Sequence, residues 1–403
     1  MRPIWRNSPA LLVLSLLLVA CGGGSDSNTA AVPAPVPAPA PVDPIVVTVG
    51  AGEFKSATFL KTFSLEALNA AASTAQVGVF PLVPVYAVQS YRLEYMTADG
   101  KGQLVQASAL VNVPVKAAGL PSPVLSLQHG TTSMNAEAPT NQVEATTVSV
   151  ALASGGFITL APDYVGYGAS KGHAHPYLLA EPSASVLVDL LTAAKYWRQT
   201  NAVKDNGQLF LAGYSEGAYV TMAAMRAMEA SGNQHNKSLV TAVVGGGPYQ
   251  AWVTLDEILK VIRAQNAVVG ALINPGFLRY MGTSVRASVR NEFFNQIFGP
   301  TADVEFDATL IDNYLADDSA AIERQSNIHD WKPGKPIRMF HGRNDQTVSY
   351  LSSSTTLQSM QARGAGDLVT LADCTAQPSS HLGCVPDFWQ FVARQLDPLA
   401  KDR

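Results

Sequence analysis

Residues 209–224 read Leu-Phe-Leu-Ala-Gly-Tyr-Ser-Glu-Gly-Ala-Tyr-Val-Thr-Met-Ala-Ala. The first four residues form a short apolar run typical of a buried strand, and the small and apolar residues after the second glycine favour a helix. The turn between them, Gly213-Tyr214-Ser215-Glu216-Gly217, fits a strand–turn–helix motif that presents a serine at the carboxyl end of its strand. The two glycines leave room for the tight turn. We therefore predict that Ser215 is a nucleophile.

Strand patterns alternate with helical patterns on both sides of this motif. The predicted strands cover residues 91–96, 104–113, 123–128, 156–161, 209–212, 239–244 and 336–340, and the predicted helices cover residues 182–198, 216–230 and 386–395. This alternation is typical of an α/β fold in which helices flank a mostly parallel central sheet. Residues 46–84 have an irregular pattern and receive no assignment.

The alternation breaks in residues 245–335, which separate two strands that would be neighbours in the sheet. Helical segments are predicted there at residues 255–264, 285–298 and 309–319. We expect this stretch to be a helical cap inserted over the carboxyl edge of the sheet. Its apolar residues either line an acyl pocket or form the core of the cap itself. They include Val268, Val269, Leu272 and Phe277.

A serine hydroxyl is a poor nucleophile unless a base takes its proton and an acid orients that base. Asp345 lies in the loop directly after the predicted strand 336–340, where such a sheet presents functional side chains, and we predict that it is the acid. Its alternative role is to cap the helix that follows. Two other aspartates are alternatives for the acid. Asp330 is the nearest competitor, but it precedes the strand. Asp373 lies nearer in the sequence to His381, which is predicted below to be the base.

Of the seven histidines, only His381 follows Asp345 in the sequence. We predict that His381 is the base, with a plain surface histidine as the alternative, and that His341 is structural. Cys374 and Cys384 bracket His381 closely, so a disulfide would fasten its loop; two buried free thiols are the alternative.

The oxyanion of an acyl-transfer intermediate needs two backbone N–H donors. We predict that Glu216, directly after the nucleophile, supplies one. Thr131, or else Gly130, supplies the other donor from the loop after the predicted strand 123–128. The alternative is that this loop is an ordinary strand end that contains a glycine and has no role in catalysis. His173 and His175 are conceivable metal ligands, but carboxylates do not cluster with them at ligand spacing, so we predict no metal site.

Several segments of the chain resemble the α/β-hydrolase superfamily over residues 91–394, and more narrowly the secreted lipases and esterases that include the fungal secretory lipases. They are Gln128-His129-Gly130-Thr131, Ala161-Pro162-Asp163-Tyr164-Val165-Gly166-Tyr167-Gly168, His175-Pro176-Tyr177-Leu178 and the serine motif. The resemblance implies a capped α/β-hydrolase fold that hydrolyses small-molecule or lipid carboxylic esters through Ser215, His381 and Asp345, without a cofactor. The chain departs from this family at Glu216, where small residues are frequent.

The first 45 residues predict export. Residues 1–20 combine two arginines with a short apolar run, and the end of this run before Cys21 resembles the lipobox of bacterial lipoproteins. The resemblance implies a lipid anchor at Cys21, and in a Gram-negative cell it favours the outer membrane because Gly22 rather than aspartate follows. The cell surface or periplasm is the other location, and an ordinary secretory signal is the alternative to the anchor. Residues 21–45 form a Gly/Ser and Pro/Ala tether before a catalytic domain at 46–403.

Composition limits the remaining classes of function. The net charge of −4 and a pI near 6.0 give no electrostatic basis for binding nucleic acid. No segment after the leader has 18 uninterrupted apolar residues, so we predict no spanning helix. A peptidase or amidase on the same fold remains an alternative, as does a surface lipoprotein without catalysis. The oligomeric state is left open.

Overall fold

A nine-stranded sheet lies at the centre of the computed structural model, which describes residues 44–74, 81–265, 280 and 282–403. The strands are β1 (Phe54–Phe63), β2 (Val88–Ala98), β3 (Leu104–Pro114), β4 (Ser122–Gln128), β5 (Ile158–Pro162), β6 (Asp205–Tyr214), β7 (Leu239–Gly245), β8 (Ile337–His341) and β9 (Val369–Asp373). Their order is β1-β2-β3-β5-β4-β6-β7-β8-β9, antiparallel from β1 to β5 and parallel from β5 to β9. The predicted α/β-hydrolase fold with a mostly parallel sheet is confirmed.

Helices cover both faces of this sheet. They are α1 (Leu65–Thr74), α2 (Val148–Ser154), α3 (Ala180–Thr200), α4 (Glu216–Ala230), α5 (His235–Ser238), α6 (Ala251–Gln265), α7 (Thr283–Phe298), α8 (Thr309–Leu315), α9 (Ser319–Gln325), α10 (Tyr350–Ala362) and α11 (Val385–Leu396). Every side chain of β4 and of β5 is buried, as expected of strands covered on two sides. The resulting core places the carboxyl ends of the parallel strands at one edge, where the candidate site lies.

The segment between β7 and β8 is here called the β7–β8 segment (residues 246–336). Its described residues contain helices where they were predicted, with one difference. The predicted helix at 309–319 is two helices, because Asp317 adopts a left-handed backbone with φ of 58° and ends α8. Asp318 then accepts a hydrogen bond from the N–H of Ala321 and begins α9. The apolar residues Val268, Val269, Leu272 and Phe277 lie outside the described residues.

The described residues also contain elements that the sequence pattern did not predict. They are β1 and α1 within the unassigned stretch, together with α2, α5, α10 and β9. No helix in the described ranges is long and apolar enough to cross a membrane. Residues 1–43, with the predicted signal peptide, Cys21 and most of the tether, lie outside the described residues.

Candidate active site

Ser215 occupies the turn between β6 and α4 in a strained backbone conformation. Its φ of 57° and ψ of −123° are unusual for a residue with a side chain, and its N–H donates to the carbonyl of Gly245 at 2.8 Å. A Cβ atom at Gly217 would overlap the backbone of Gln128 and His129. The glycine therefore lets α4 pack directly against the loop after β4, and the turn directs Ser215 towards the carboxyl edge of the sheet.

The structure brings Ser215, His381 and Asp345 into one hydrogen-bonded chain. The Nδ1 of His381 lies 2.6 Å from Oδ2 of Asp345, and its Nε2 lies 2.8 Å from Oγ of Ser215. Because a carboxylate can only accept, Nδ1–H is the donor to Asp345, and Nε2 is left to accept the Ser215 proton. The imidazole is thus held in the tautomer that a general base for Ser215 requires.

Asp345 is buried and fully hydrogen-bonded. Its Oδ1 accepts from the N–H groups of Thr347 and Val348 at 2.9 and 2.8 Å. Burial raises the pKa of Asp345, but the hydrogen bonds from His341 and His381 and the backbone donor outweigh it and hold the pKa well below its usual value. The carboxylate beside His381 therefore stays negatively charged at neutral pH.

The two competing acids point elsewhere. Asp373, at the end of β9, accepts from Arg343 Nε at 3.0 Å and from the hydroxyl of Tyr350 at 2.8 Å. Asp330 pairs with Arg363 on the surface, at 2.6 Å. Of the three candidate acids, Asp345 is the one bonded to His381.

His341 also contacts the acid, which the sequence did not reveal. Its Nε2 lies 2.9 Å from the carbonyl of Val348 and 3.2 Å from Oδ2 of Asp345, while Ser353 Oγ lies 2.7 Å from its Nδ1. Two acceptors at Nε2 mean that this nitrogen carries the proton and that Ser353 donates to Nδ1. His341 therefore fixes the loop that carries Asp345, a structural role as predicted.

The loop that carries His381 is fastened at two points. Cys374 and Cys384 form the predicted disulfide across it. Tyr214 donates its hydroxyl to the carbonyl of His381 at 2.7 Å, a contact that sequence reasoning missed. Tyr214 is the first of the two variable positions of the serine motif, so the residue before the nucleophile also positions the candidate base.

The predicted oxyanion donors lie on two adjoining backbones. Glu216 is the first residue of α4, where a helix leaves its N–H groups without an intrahelical acceptor. A Cβ atom at Gly130 would lie 3.4 Å from Cβ of Ser215, so the loop after β4 passes directly beside the serine. Tyr164 and Tyr167 hold this loop by donating their hydroxyls to the carbonyls of His129 and Thr132 at 3.0 and 2.6 Å.

A family model described as the alpha/beta hydrolase family matches residues 129–395. The chain belongs to the alpha/beta hydrolase family. No curated protein sequence matches this alpha/beta hydrolase. Its fold is similar to that of a protein from Legionella pneumophila, with a TM-score of 0.67 and 21% identity over 86% of this chain and 97% of that one.

Two further solved structures resemble this alpha/beta hydrolase and carry functional names. The ligand-bound rice cell wall degrading esterase LipA from Xanthomonas oryzae has a TM-score of 0.64 and 22% identity, over 87% of this chain and all of that one. Candida antarctica lipase A in its closed state has a TM-score of 0.55 and 17% identity, over 83% of this chain and 79% of that one. At these identities the likeness concerns the fold.

His173 and His175, which were considered as metal ligands, form hydrogen bonds within the chain of this alpha/beta hydrolase. His175 Nε2 lies 2.6 Å from Oε1 of Glu216, and its Nδ1 lies 2.8 Å from the carbonyl of Val165. His173 donates its backbone N–H to Ser170. Within the described part of the chain, no three His, Cys, Asp or Glu side chains group in a way that could hold a metal ion.

Proposed function

We propose that this alpha/beta hydrolase is a serine carboxylic-ester hydrolase, an esterase or lipase. The observation that carries the proposal is the hydrogen-bonded chain from Ser215 Oγ through His381 to Asp345, with distances of 2.8 and 2.6 Å. The serine lies on a strained turn between a strand and a helix, which is the setting expected of an activated nucleophile. The esterase and lipase names of the similar structures support ester substrates over other acyl compounds.

The proposed reaction proceeds in two halves. Ser215 Oγ attacks the ester carbonyl carbon while His381 Nε2 takes its proton, and the resulting oxyanion accepts from the N–H of Glu216 and from that of Thr131 or Gly130. Collapse of this intermediate breaks the ester C–O bond, and the departing alcohol receives the proton from His381. Water then attacks the acyl-serine with His381 as base again, which releases the acid and restores Ser215.

Covalent labelling tests this proposal directly. A fluorophosphonate probe is expected to attach to Ser215 of the wild-type protein, because the activated hydroxyl displaces fluoride at phosphorus as it would attack a carbonyl. Peptide mass spectrometry locates the adduct, and rates on p-nitrophenyl esters of several chain lengths and on matching anilides show which substrate is cleaved. If Ser215 stays unlabelled and no ester is hydrolysed, the proposal of a serine hydrolase is refuted. Cleavage of the anilides faster than of the matching esters would favour an amidase.

We also propose that the enzyme is exported and anchored by a lipid on Cys21, with residues 21–45 as the tether and the β7–β8 segment as a cap. The leader sequence and the Cys374–Cys384 disulfide support export, because disulfides persist in oxidising compartments. Wild-type protein from a Gram-negative host is expected to partition into detergent, and the Cys21→Ser protein into the aqueous phase. Equal partitioning of the two would contradict the anchor.

A further inference from the structure

A buried acid–base pair adjoins the candidate nucleophile and plays no part in the proton relay. His175 and Glu216 are 3% and 2% exposed, and Nε2 of His175 lies 2.6 Å from Oε1 of Glu216. Glu216 directly follows Ser215, and its backbone N–H is one of the two predicted oxyanion donors. A carboxyl group is thereby buried one residue from the nucleophile, at a position where an uncompensated negative charge would oppose a developing oxyanion.

The hydrogen bonds define how many protons this pair holds. Nδ1 of His175 lies 2.8 Å from the carbonyl of Val165, and since a carbonyl only accepts, Nδ1 carries a hydrogen. The 2.6 Å contact between Nε2 and Glu216 Oε1 needs one further proton between them. The pair is then either an imidazolium with a carboxylate or an imidazole with a carboxylic acid. In both forms it is electrically neutral.

The same histidine joins the two backbones that carry the candidate oxyanion donors. The ring of Tyr164 lies between those of His129 and His175, with centroids 4.1 and 5.9 Å away, and Tyr167 contacts His175 edge-on at 5.2 Å. Both tyrosine hydroxyls donate to carbonyls of the loop after β4, as described above. His175 therefore links that loop, through the two tyrosines, to Glu216 at the start of α4.

The β7–β8 segment is attached to this histidine as well. The backbone of His175 donates to the carbonyl of Glu305 at 2.7 Å and accepts from the N–H of Asp307 at 2.8 Å. The ring of Phe306 packs edge-on against the imidazole, with centroids 5.6 Å apart. Three parts of the chain thus meet at one buried side chain.

We propose that His175 and Glu216 are positioning residues for the oxyanion hole, a proposal that rests on the proposed function. Their shared proton keeps the acid–base pair next to the nucleophile electrically neutral, and the hydrogen bond ties the first residue of α4 to the loop after β5. Tyr164 and Tyr167 of that loop in turn hold the loop after β4. His175 supplies this proton and makes the link to the β7–β8 segment. The pair itself does not touch the substrate.

Two substitutions at one position separate charge from size. Glu216→Gln keeps the length of the side chain and its hydrogen bond to His175 without a charge, and it is expected to lower kcat by about fivefold. Glu216→Asp keeps the charge on a side chain too short to reach His175. Its kcat is expected to fall by about 10²-fold, the loss typical of one oxyanion donor, while KM stays within about threefold.

A third variant changes His175, the other member of the pair. His175→Gln retains a polar group but has no ring nitrogen that can share a proton with Glu216, and we expect kcat to fall by about 10²-fold with KM again within about threefold. Inhibition constants for a trifluoromethyl ketone, which forms a tetrahedral adduct with the serine, should rise in proportion to the loss in kcat/KM. Thermal unfolding midpoints of all variants serve as the control for folding.

The outcomes distinguish this proposal from the proposed function. A Glu216→Asp protein that is faster than Glu216→Gln would overturn the requirement for neutrality, whether or not His175→Gln folds. The pair would have only a packing role if the variants raised KM instead of lowering kcat. The same conclusion would follow if the loss of activity correlated with the thermal unfolding midpoint and not with the affinity for the ketone. Wild-type protein that neither hydrolyses esters nor labels at Ser215 would remove both proposals together.

Discussion

Replacement of Ser215 by alanine is expected to lower kcat for ester hydrolysis by about 10⁶-fold. In the proposed mechanism the hydroxyl is the only part of the relay that forms a bond to the substrate, so neither His381 nor the oxyanion donors would compensate for its loss. The small residual rate would come from the oxyanion donors and from substrate binding. Initial rates on a short-chain p-nitrophenyl ester measure the change, and phosphonate labelling of each preparation detects contaminating wild-type enzyme.

Ser231 provides the matched control for this experiment. It caps the opposite end of α4 and donates its hydroxyl to the carbonyl of Ala227. The Ser231→Ala protein is expected to keep kcat within about twofold of wild type. A Ser215→Ala protein that retains more than a hundredth of the wild-type rate would show that another residue is the nucleophile.

Replacement of Asp345 by asparagine is expected to lower kcat by about 10⁴-fold. The amide is the same size as the carboxyl, but it cannot stabilise the imidazolium. Its NH₂ group also favours the His381 tautomer with the proton on Nε2, which then cannot accept from Ser215. Because the charge of Asp345 acts mainly in the transition state, KM is expected to change much less than kcat.

The two competing acids are the controls here. Asp373→Asn and Asp330→Asn remove carboxylates that pair with Arg343 and Arg363 at the surface, so each is expected to keep kcat within about threefold. If Asp373→Asn were slower than Asp345→Asn, Asp373 would be the acid.

The low pKa of Asp345 also fixes the sign of its pH dependence. A carboxyl whose pKa is depressed by folding stabilises the native state above its unfolded pKa, and this contribution is lost as the pH falls through the folded pKa. Since the folded pKa lies well below the ordinary value, Asp345 remains charged in mildly acidic solution. We therefore expect that protonation of Asp345 does not limit the proposed ester turnover near neutral pH.

The sequence predicted the parts of this fold that have strong local patterns. The strand before Ser215, the helix after it and the chain order Ser215, Asp345, His381 could all be read from the sequence, because turn chemistry and apolar runs are local. The order of Asp345 and His381 mattered most. It selected one histidine of seven, and that histidine is bonded to both Ser215 and Asp345 in the structure.

Elements with weak local signals were missed for identifiable reasons. β1 is an edge strand whose burial pattern does not alternate cleanly, and two register shifts interrupt its pairing with β2. α10 contains five consecutive serines and threonines, which are modest helix formers. Ser352 on this helix is buried because it bonds to the backbone of Gly247 and Tyr249, which are distant in sequence.

Local sequence patterns also could not predict contacts between side chains that are far apart in the sequence. Tyr214 reaches the carbonyl of His381, 167 residues away, and His175 reaches Glu216 across 41 residues. The departure at Glu216 was visible in the sequence as a carboxyl where small residues are frequent. The histidine that compensates for it becomes visible only when the loop after β5 folds over the start of α4.

The disulfide between Cys374 and Cys384 has a consequence for when the proposed esterase becomes competent. It closes a short loop around His381, and such a crosslink is worth roughly 2 to 4 kcal/mol. Such crosslinks are rare among the reduced thiols of the cytosol, so a newly made chain carries the proposed base on an unfastened loop. On the proposed export, oxidation outside the cytosol completes the fastening. The proposed esterase would thus acquire its catalytic competence as it leaves the cell interior, which would spare the esters of the producing cell.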